Sequence, residues 1–177
     1  MSQILEHLHQ DHIHMARVLD LIERELKRFN GNLPADLSLI YDGLHYLTQH
    51  GDRCHHPLED RVFARLEEVN PSTREAVNRL REEHEALYAK GKAFRDAVRD
   101  VESEAAMERR SFLEVAQDYL QHQRRHLDFE ETTIFPMART HISTKDWDDM
   151  DMAEERATDP LFGSNADPEY QRLRSAL

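Results

Sequence analysis

Two stretches of this chain answer one another, and together they limit what it can fold into. Arg53-Cys54-His55-His56-Pro57-Leu58-Glu59-Asp60 and Arg124-Arg125-His126-Leu127-Asp128-Phe129-Glu130-Glu131 both read R-x-H-x3-E-(D/E). A second pair, Leu8-His9-Gln10-Asp11-His12 and Leu80-Arg81-Glu82-Glu83-His84, reads L-x2-(D/E)-H and is offset along the chain by almost the same distance as the first. On a helix, side chains at i and i+4 stand one above the other. Each copy of the longer motif therefore aims an imidazole and a carboxylate at one point. His12 to His55 is nearly the same step as His84 to His126, the rhythm of a duplicated helical hairpin. Each first helix carries one His, and each second helix a His and a Glu.

Hydrophobic periodicity agrees. A first helix is predicted from Gln3 to Phe29 on the stripe Leu5, Leu8, His12, Met15, Leu19, Ile22, Leu26 and Phe29, spaced by three and four. Gly31 is the expected left-handed cap. A second helix starts at Pro34-Ala35-Asp36, with a proline and an acid in its first turn, and ends at Asn70-Pro71. Pro57 cannot donate to Arg53, so a kink is expected beside the site. The third helix, capped by Asn70 or Ser72, runs through Val77, Leu80, His84, Leu87 and Phe94. The fourth begins after Ser103 and passes Phe112, Tyr119, His126, Phe129, Glu130 and Ile134, with Pro136 bending its last turn.

The pattern changes in the tail. Residues 1–140 form the four-helix unit, and 141–177 are expected as a helical appendage packed on it. Lys145 to Ala157 reads as a short acidic helix bearing Trp147. Asp159-Pro160-Leu161-Phe162-Gly163 reads as a turn, and Asp167-Pro168-Glu169 as the cap of a terminal helix.

Composition narrows the class to a single all-α domain. The 177 residues include five glycines, six prolines and 33% charged side chains, as in a helical globular protein. A net charge of −12 argues against nucleic acid or an anionic membrane as partner. No apolar run approaches the roughly 20 residues of a membrane-spanning helix. The first residues lack the basic and apolar regions of a signal peptide, and Cys54 is the single cysteine, which fits a reducing cytoplasm.

His12 and His84 sit where their stripes call for apolar residues. One such histidine is ordinarily a satisfied core residue, but six polar groups converging are another matter. Four imidazoles and two carboxylates buried without a partner cost several kcal/mol per ionised group, and a pair of metal ions supplies that partner. The expected ligands are His12, His55, Glu59, His84, His126 and Glu130. Structural zinc favours cysteine pairs, and calcium or magnesium favours all-oxygen cages. Mixed imidazole and carboxylate donors suit iron or manganese. The Glu-x-x-His motif of ferritin-like di-iron proteins occurs only once, at Glu6 and His9, which sets that fold aside. His56 is also set aside, because Leu127 holds its place in the other copy. Asp11 and Glu83 are candidates to orient ligand imidazoles. His122 is read as a group beside the site, Tyr88 as a core aromatic and Cys54 as a buried thiol. His7, His9, His14 and His45 are read as surface groups or groups behind the site.

These residues resemble the hemerythrin-like, or HHE cation-binding, domain over about residues 3–140. His12, His55-x3-Glu59, His84 and His126-x3-Glu130 map one by one onto that family's pattern. The resemblance implies an antiparallel up-down four-helix bundle holding two non-haem Fe ions, bridged by the two carboxylates and an oxo or hydroxo group, with Mn or Zn as substitutes. It implies a protein that binds or senses O2, NO or peroxide. The alternatives are a redox enzyme acting on peroxide or nitric oxide, and an iron donor for repair of iron–sulfur centres. Oxygen carriers of the family have a further His one turn after the third-helix ligand and an Asp five residues after the fourth-helix ligand. Tyr88 and Glu131 stand at those places here, which favours redox chemistry or sensing over carriage. The acidic C-terminal tail is the expected contact for a protein partner.

Overall fold

The computed structural model describes residues 2–103, 107–152, 159–163 and 167–177. It is an all-α, antiparallel four-helix bundle, with no strand among the described residues. The first rod is α1 (Gln3–Asn30). The second joins α2 (Leu37–His50) to α3 (His56–Val69) through a widened turn, Gly51–His55. The third is α4 (Arg74–Glu102). The fourth joins α5 (Arg109–Phe129) to α6 (Phe135–His141) through a second widened turn, Glu130–Ile134. Two short helices follow, α7 (Thr144–Met152) and α8 (Gln171–Ala176).

Both widened turns have the same cause. Proline has no N–H, and its ring crowds the carbonyl four residues back. In each rod the residue before the proline donates five residues back instead. His56, ahead of Pro57, bonds Gly51 O; Phe135, ahead of Pro136, bonds Glu130 O. The expected kinks are thus single π-turns, a feature common at functional sites. One turn ends on His55 and the other begins on Glu130, so both fall in the layer of the histidines and glutamates.

That layer divides the interior. Along α1, Ile4, Leu5 and Leu8 belong to one apolar cluster, and Met15, Leu19 and Ile22 to another. His12 lies between them. The same break separates Leu80 from Leu87 on α4, with His84 between. Helix approach is close in the second cluster: a Cβ on Gly91 would stand 2.8 Å from Thr48 Cγ2 and 3.2 Å from Tyr119 Cε2. From the tail, Leu161, Tyr170 and Leu173 are buried in this larger cluster, and Trp147 in the smaller.

Several boundaries differ from expectation for local reasons. Gly31 closes α1 with φ −80°, and the left-handed residue is Asn32 at φ 56°, a conformation asparagine tolerates. Asp36 is not in the first turn of the second rod but caps it, accepting from Leu39 N at 3.0 Å. A short 3-10 turn, Pro71–Thr73, precedes α4. The acidic tail helix is described over Thr144–Met152; the rest of the stretch expected to be helical, 153–157, lies outside the described residues. Asp167 caps the terminal turn as expected, accepting from Glu169 N at 3.0 Å. Tyr88, expected in the core, is 53% exposed.

Candidate metal centre

The six predicted side chains meet in the layer between the two apolar clusters. Glu59 and Glu130 are fully buried, and His12, His55 and His126 nearly so; His84 is the most open, at 10%. The carboxylates stand between two histidine pairs. Glu59 Oε1 lies 3.1 Å from His55 Nε2 and 3.3 Å from His12 Nε2, while its Oε2 lies 3.5 Å from His84 Nε2. Glu130 turns Oε2 to His12 Nε2 at 3.4 Å, and Oε1 to His126 and His84 Nε2 at 3.3 and 3.7 Å. Each carboxylate therefore gives one oxygen to each pair.

These spacings fit the edges of coordination polyhedra. Metal–imidazole bonds of roughly 2.1 Å at right angles put neighbouring donors about 3.0 Å apart and ring centroids about 4.6 Å apart. His12 and His55 have Nε2 atoms 2.9 Å apart and centroids 4.8 Å apart. His84 and His126 have centroids 4.9 Å apart. All four oxygens of Glu59 and Glu130, with Nε2 of His84 and His126, are buried without a hydrogen-bond partner. Buried polar atoms are rarely left so, and cations between them would satisfy every one.

Behind the rings stands a second layer of acids. His55 Nδ1 faces Asp11 at 3.1 Å, His126 Nδ1 faces Glu83 at 3.2 Å, and His12 Nδ1 faces Glu131 at 2.8 Å. Such partners fix the tautomer with the proton on Nδ1 and a lone pair on Nε2. Asp60 stands farther from His84 Nδ1, at 4.0 Å. The arrangement follows the duplication. The acid before each first-helix His supports the second-helix His of its own hairpin. The acid after each second-helix Glu faces the first-helix His of the other hairpin. Asp11 and Glu83 thus take the orienting positions considered for them. Glu131 is the partner that sequence reasoning misses, although the acid closing both copies of the long motif marks its place.

In the ion-free protein, protons take the place of cations. Burial opposes a charge on His55, but the Glu59 carboxylate and the Asp11 bond hold its pKa up at about 10. Burial likewise opposes His84, and Glu130 and Glu59 raise it to about 9. Glu59 is held well below the usual carboxylate range, against its burial, by His55, His12 and His84. The hydrogen bond from His126 brings Glu83 down to about 2.

His56, set aside on the repeat, joins this cluster: it can place a ring nitrogen within 4.8 Å of donors on Glu59, His84 and His126. It lies over His84, ring centroids 4.0 Å apart and planes at 12°. An imidazole lone pair lies in its ring plane, and planes so nearly parallel do not meet at bonding distance. In this rotamer His56 and His84 cannot share an ion. Burial pushes the His56 pKa down to about 4.

The other candidates spread outward. His9 shares Glu131 at 2.9 Å, and His45 meets Glu169 at 3.1 Å. His7 Nε2 lies 3.7 Å from Asp11, and His122 has a buried Nε2 with no hydrogen-bond partner. Cys54 is half-buried, and its burial raises the thiol pKa, which keeps it protonated. His14 and Tyr46 both bond Asp159 Oδ2 at 2.9 Å, which ties the tail turn to α1 and α2. Those pairings lie 145 and 113 residues apart in the chain and no repeat signals them.

Among the described residues, no helix is long and apolar enough to cross a membrane. No curated protein and no solved structure matches the chain at a significant level. The model of the hemerythrin HHE cation binding domain matches residues 3–138, the span that carries both hairpins and every converging donor, and the chain belongs to that family.

Proposed function

We propose that the protein holds two non-haem iron ions and uses them to bind or sense a small ligand such as O2, NO or peroxide. His12 and His55 would hold one ion and His84 and His126 the other, with Glu59 and Glu130 bridging. One observation carries the reading. His12 and His55 both give Nδ1 to a carboxylate, yet their Nε2 atoms face each other at 2.9 Å. Without an ion, one proton between the two nitrogens holds that contact; a metal ion that displaced it would take both lone pairs at once.

Iron is the metal of choice because four imidazoles and two carboxylates are intermediate donors, softer than a calcium cage and without the thiolates of structural zinc. Manganese or zinc would fit the same donors. Bound iron supplies redox exchange and an open coordination position. Each ion would receive two imidazole nitrogens and one oxygen from each glutamate, four donors of a usual six. Of the two remaining places on each ion, one would go to a solvent-derived bridge and one would stay open, which favours ligand binding and also suits turnover of peroxide or nitric oxide. The chain's own part is to orient the rings through Asp11, Glu83 and Glu131 and to exclude bulk water with the two apolar clusters.

Metal analysis with an optical spectrum, on protein purified with and without air, tests this reading. Two iron equivalents per chain and an air-dependent charge-transfer band are expected. Fewer than half an equivalent of any transition metal after anaerobic reconstitution would refute it.

A further inference from the structure

Beside Asp11 stands a second gathering of donors, apart from the six at the centre. His14 lies one turn past Asp11 on α1, and His50 is the last residue of α2. In the second hairpin Ala86 and Gln121 hold the matching places, so the repeat neither requires nor signals these two imidazoles. The tail turn brings Asp159. Asp11, His14 and Asp159 each offer a donor atom, and the three atoms lie within 4.8 Å of one another. Both carboxylates are buried, Asp11 at 2% and Asp159 at 8% exposure.

Hydrogen bonds account for part of this cluster but not for His50. In the ion-free protein the His14 Nδ1 proton holds Asp159 Oδ2 at 2.9 Å. His50 is 2% exposed, yet neither of its ring nitrogens has a hydrogen-bond partner. An imidazole carries a donor or an acceptor at each nitrogen, and buried polar atoms are rarely left so. Its Nε2 is turned to the cluster, 3.4 Å from Asp11 Oδ2. That is long for a hydrogen bond and close to the roughly 3.3 Å edge of a tetrahedron with metal–donor bonds of about 2.0 Å. The rings are held in place. His50 stacks on Tyr46 at 5.4 Å and 9°, His14 on Phe162 at 4.0 Å and 11°. Asp159 Oδ1 accepts from Leu161 N and Phe162 N at 2.8 and 2.9 Å, which fixes the carboxylate with Oδ2 towards His14.

We propose that Asp11, His14, His50 and Asp159 form a further metal site, separate from the pair of ions at the centre, which takes one zinc-class divalent ion in tetrahedral coordination. Two imidazoles and two carboxylates suit such an ion, and His14 gives up its Nδ1 proton as the ion binds. A carboxylate has about four lone-pair sites, so Asp11 can back His55 Nδ1 at 3.1 Å and hold the ion as well. The ion joins α1 and α2 to the tail turn and fastens that turn to the bundle. The proposal does not rest on the di-iron reading, because the two sites share no donor.

The test is an anaerobic titration of the reduced, iron-loaded chain with Co(II), read by analysis of both metals and by visible absorption. Tetrahedral cobalt absorbs far more strongly there than six-coordinate cobalt. The parent is expected to take up one cobalt equivalent with the tetrahedral bands and to keep its iron. Asp159→Asn keeps an oxygen to cap the turn, and His14→Phe and His50→Phe keep the stacks on Phe162 and Tyr46. Each should weaken that equivalent by at least about 100-fold, more than the loss of an outer partner costs. Tyr46→Phe removes only such a partner, the hydroxyl that donates to Asp159 Oδ2 at 2.9 Å, and should cost about tenfold. Parent protein that gains no tetrahedral bands overturns the proposal by itself. So does cobalt held as tightly as in the parent by Asp159→Asn or by either histidine variant, each checked by melting to be folded. Protein that takes up no iron, yet gains the bands in the parent and loses them in Asp159→Asn, would sink the di-iron reading and support this site.

Discussion

Glu131 offers the sharpest test of how the centre is built, because its role comes from the crossed pairing of the hairpins and not from the ligand set. Its Oε1 accepts from His12 Nδ1 at 2.8 Å, and His12 is 4% exposed. A carboxylate behind a metal-bound imidazole typically contributes about 10–100-fold in metal affinity. Glu131→Gln retains an acceptor but not the charge, and is expected near tenfold. Glu131→Ala removes both, and is expected near 100-fold, or about 2.8 kcal/mol at roughly 1.4 kcal/mol per factor of ten. The loss should fall on the ion held by His12 and His55, leaving about one equivalent tightly bound. Two controls come from the same geometry. Asp60→Asn alters the matching acid of the other hairpin, which at 4.0 Å lies beyond hydrogen-bond range, and should cost less than about twofold. His9→Ala removes the other donor to Glu131, a ring that is 50% exposed, and should also be near neutral. Anaerobic competition for Fe(II) with a chromophoric chelator reads all four variants. Asp60→Asn matching Glu131→Ala, or Glu131→Ala binding both ions like the parent, refutes the crossed arrangement.

Three further outcomes follow from the packing and charge of the bundle. Glu59→Gln or Glu130→Gln should leave less than one iron equivalent after dialysis, since each glutamate serves both histidine pairs; full occupancy in either variant would deny it a bridging place. Protein stripped of metal should lose stability as pH rises. His55 and His84 are raised to about 10 and about 9 from 6.5, so their contribution is complete below 6.5 and gone above 10. Metal uptake has the opposite sign, because ligands must shed their protons. Melting chelator-treated protein at about pH 6, 8 and 10 checks this, and a flat or rising Tm refutes it. Gly91→Ala should lower Tm by several degrees, because the new methyl group would meet Thr48 Cγ2 at 2.8 Å and Tyr119 at 3.2 Å, an overpacking cost of about 1–3 kcal/mol. An unchanged Tm would mean that α4 does not approach α2 so closely.

Much of this architecture is legible in the sequence because duplication writes it twice. One helical stripe with a histidine in it says little. Two such stripes, answered at nearly the same offset by two His-x3-Glu turns, specify four helices and a shared centre. The prolines announce a kink in each of the two longer-motif rods without revealing its form. Whether a backbone relieves a proline by bending or by a π-turn depends on what the widened turn gains in packing, and that is a tertiary matter. The outer acids are half legible. Asp11 and Glu83 can be guessed as neighbours of ligands, but their actual partners, His55 and His126, lie 44 and 43 residues away. Glu131 invites comparison with the aspartate of oxygen carriers, and so reads as a departure from them instead of a partner for His12.

Repeat logic also has a blind side, which His56 exposes. Discarding it because Leu127 fills the matching place assumes that only what both copies share can matter. Shared residues do account for the common property, two similar pairs of imidazoles facing the same two carboxylates. The two halves differ at side chains on which the copies disagree, among them His56 against Leu127 and Gly51 against His122. The first disagreement puts a polar ring over His84, and the second leaves that ring uncrowded on its Gly51 edge. In a duplicated centre the shared part of the pattern gathers the donors, and the unmatched part, which lays His56 over His84, makes the two halves differ.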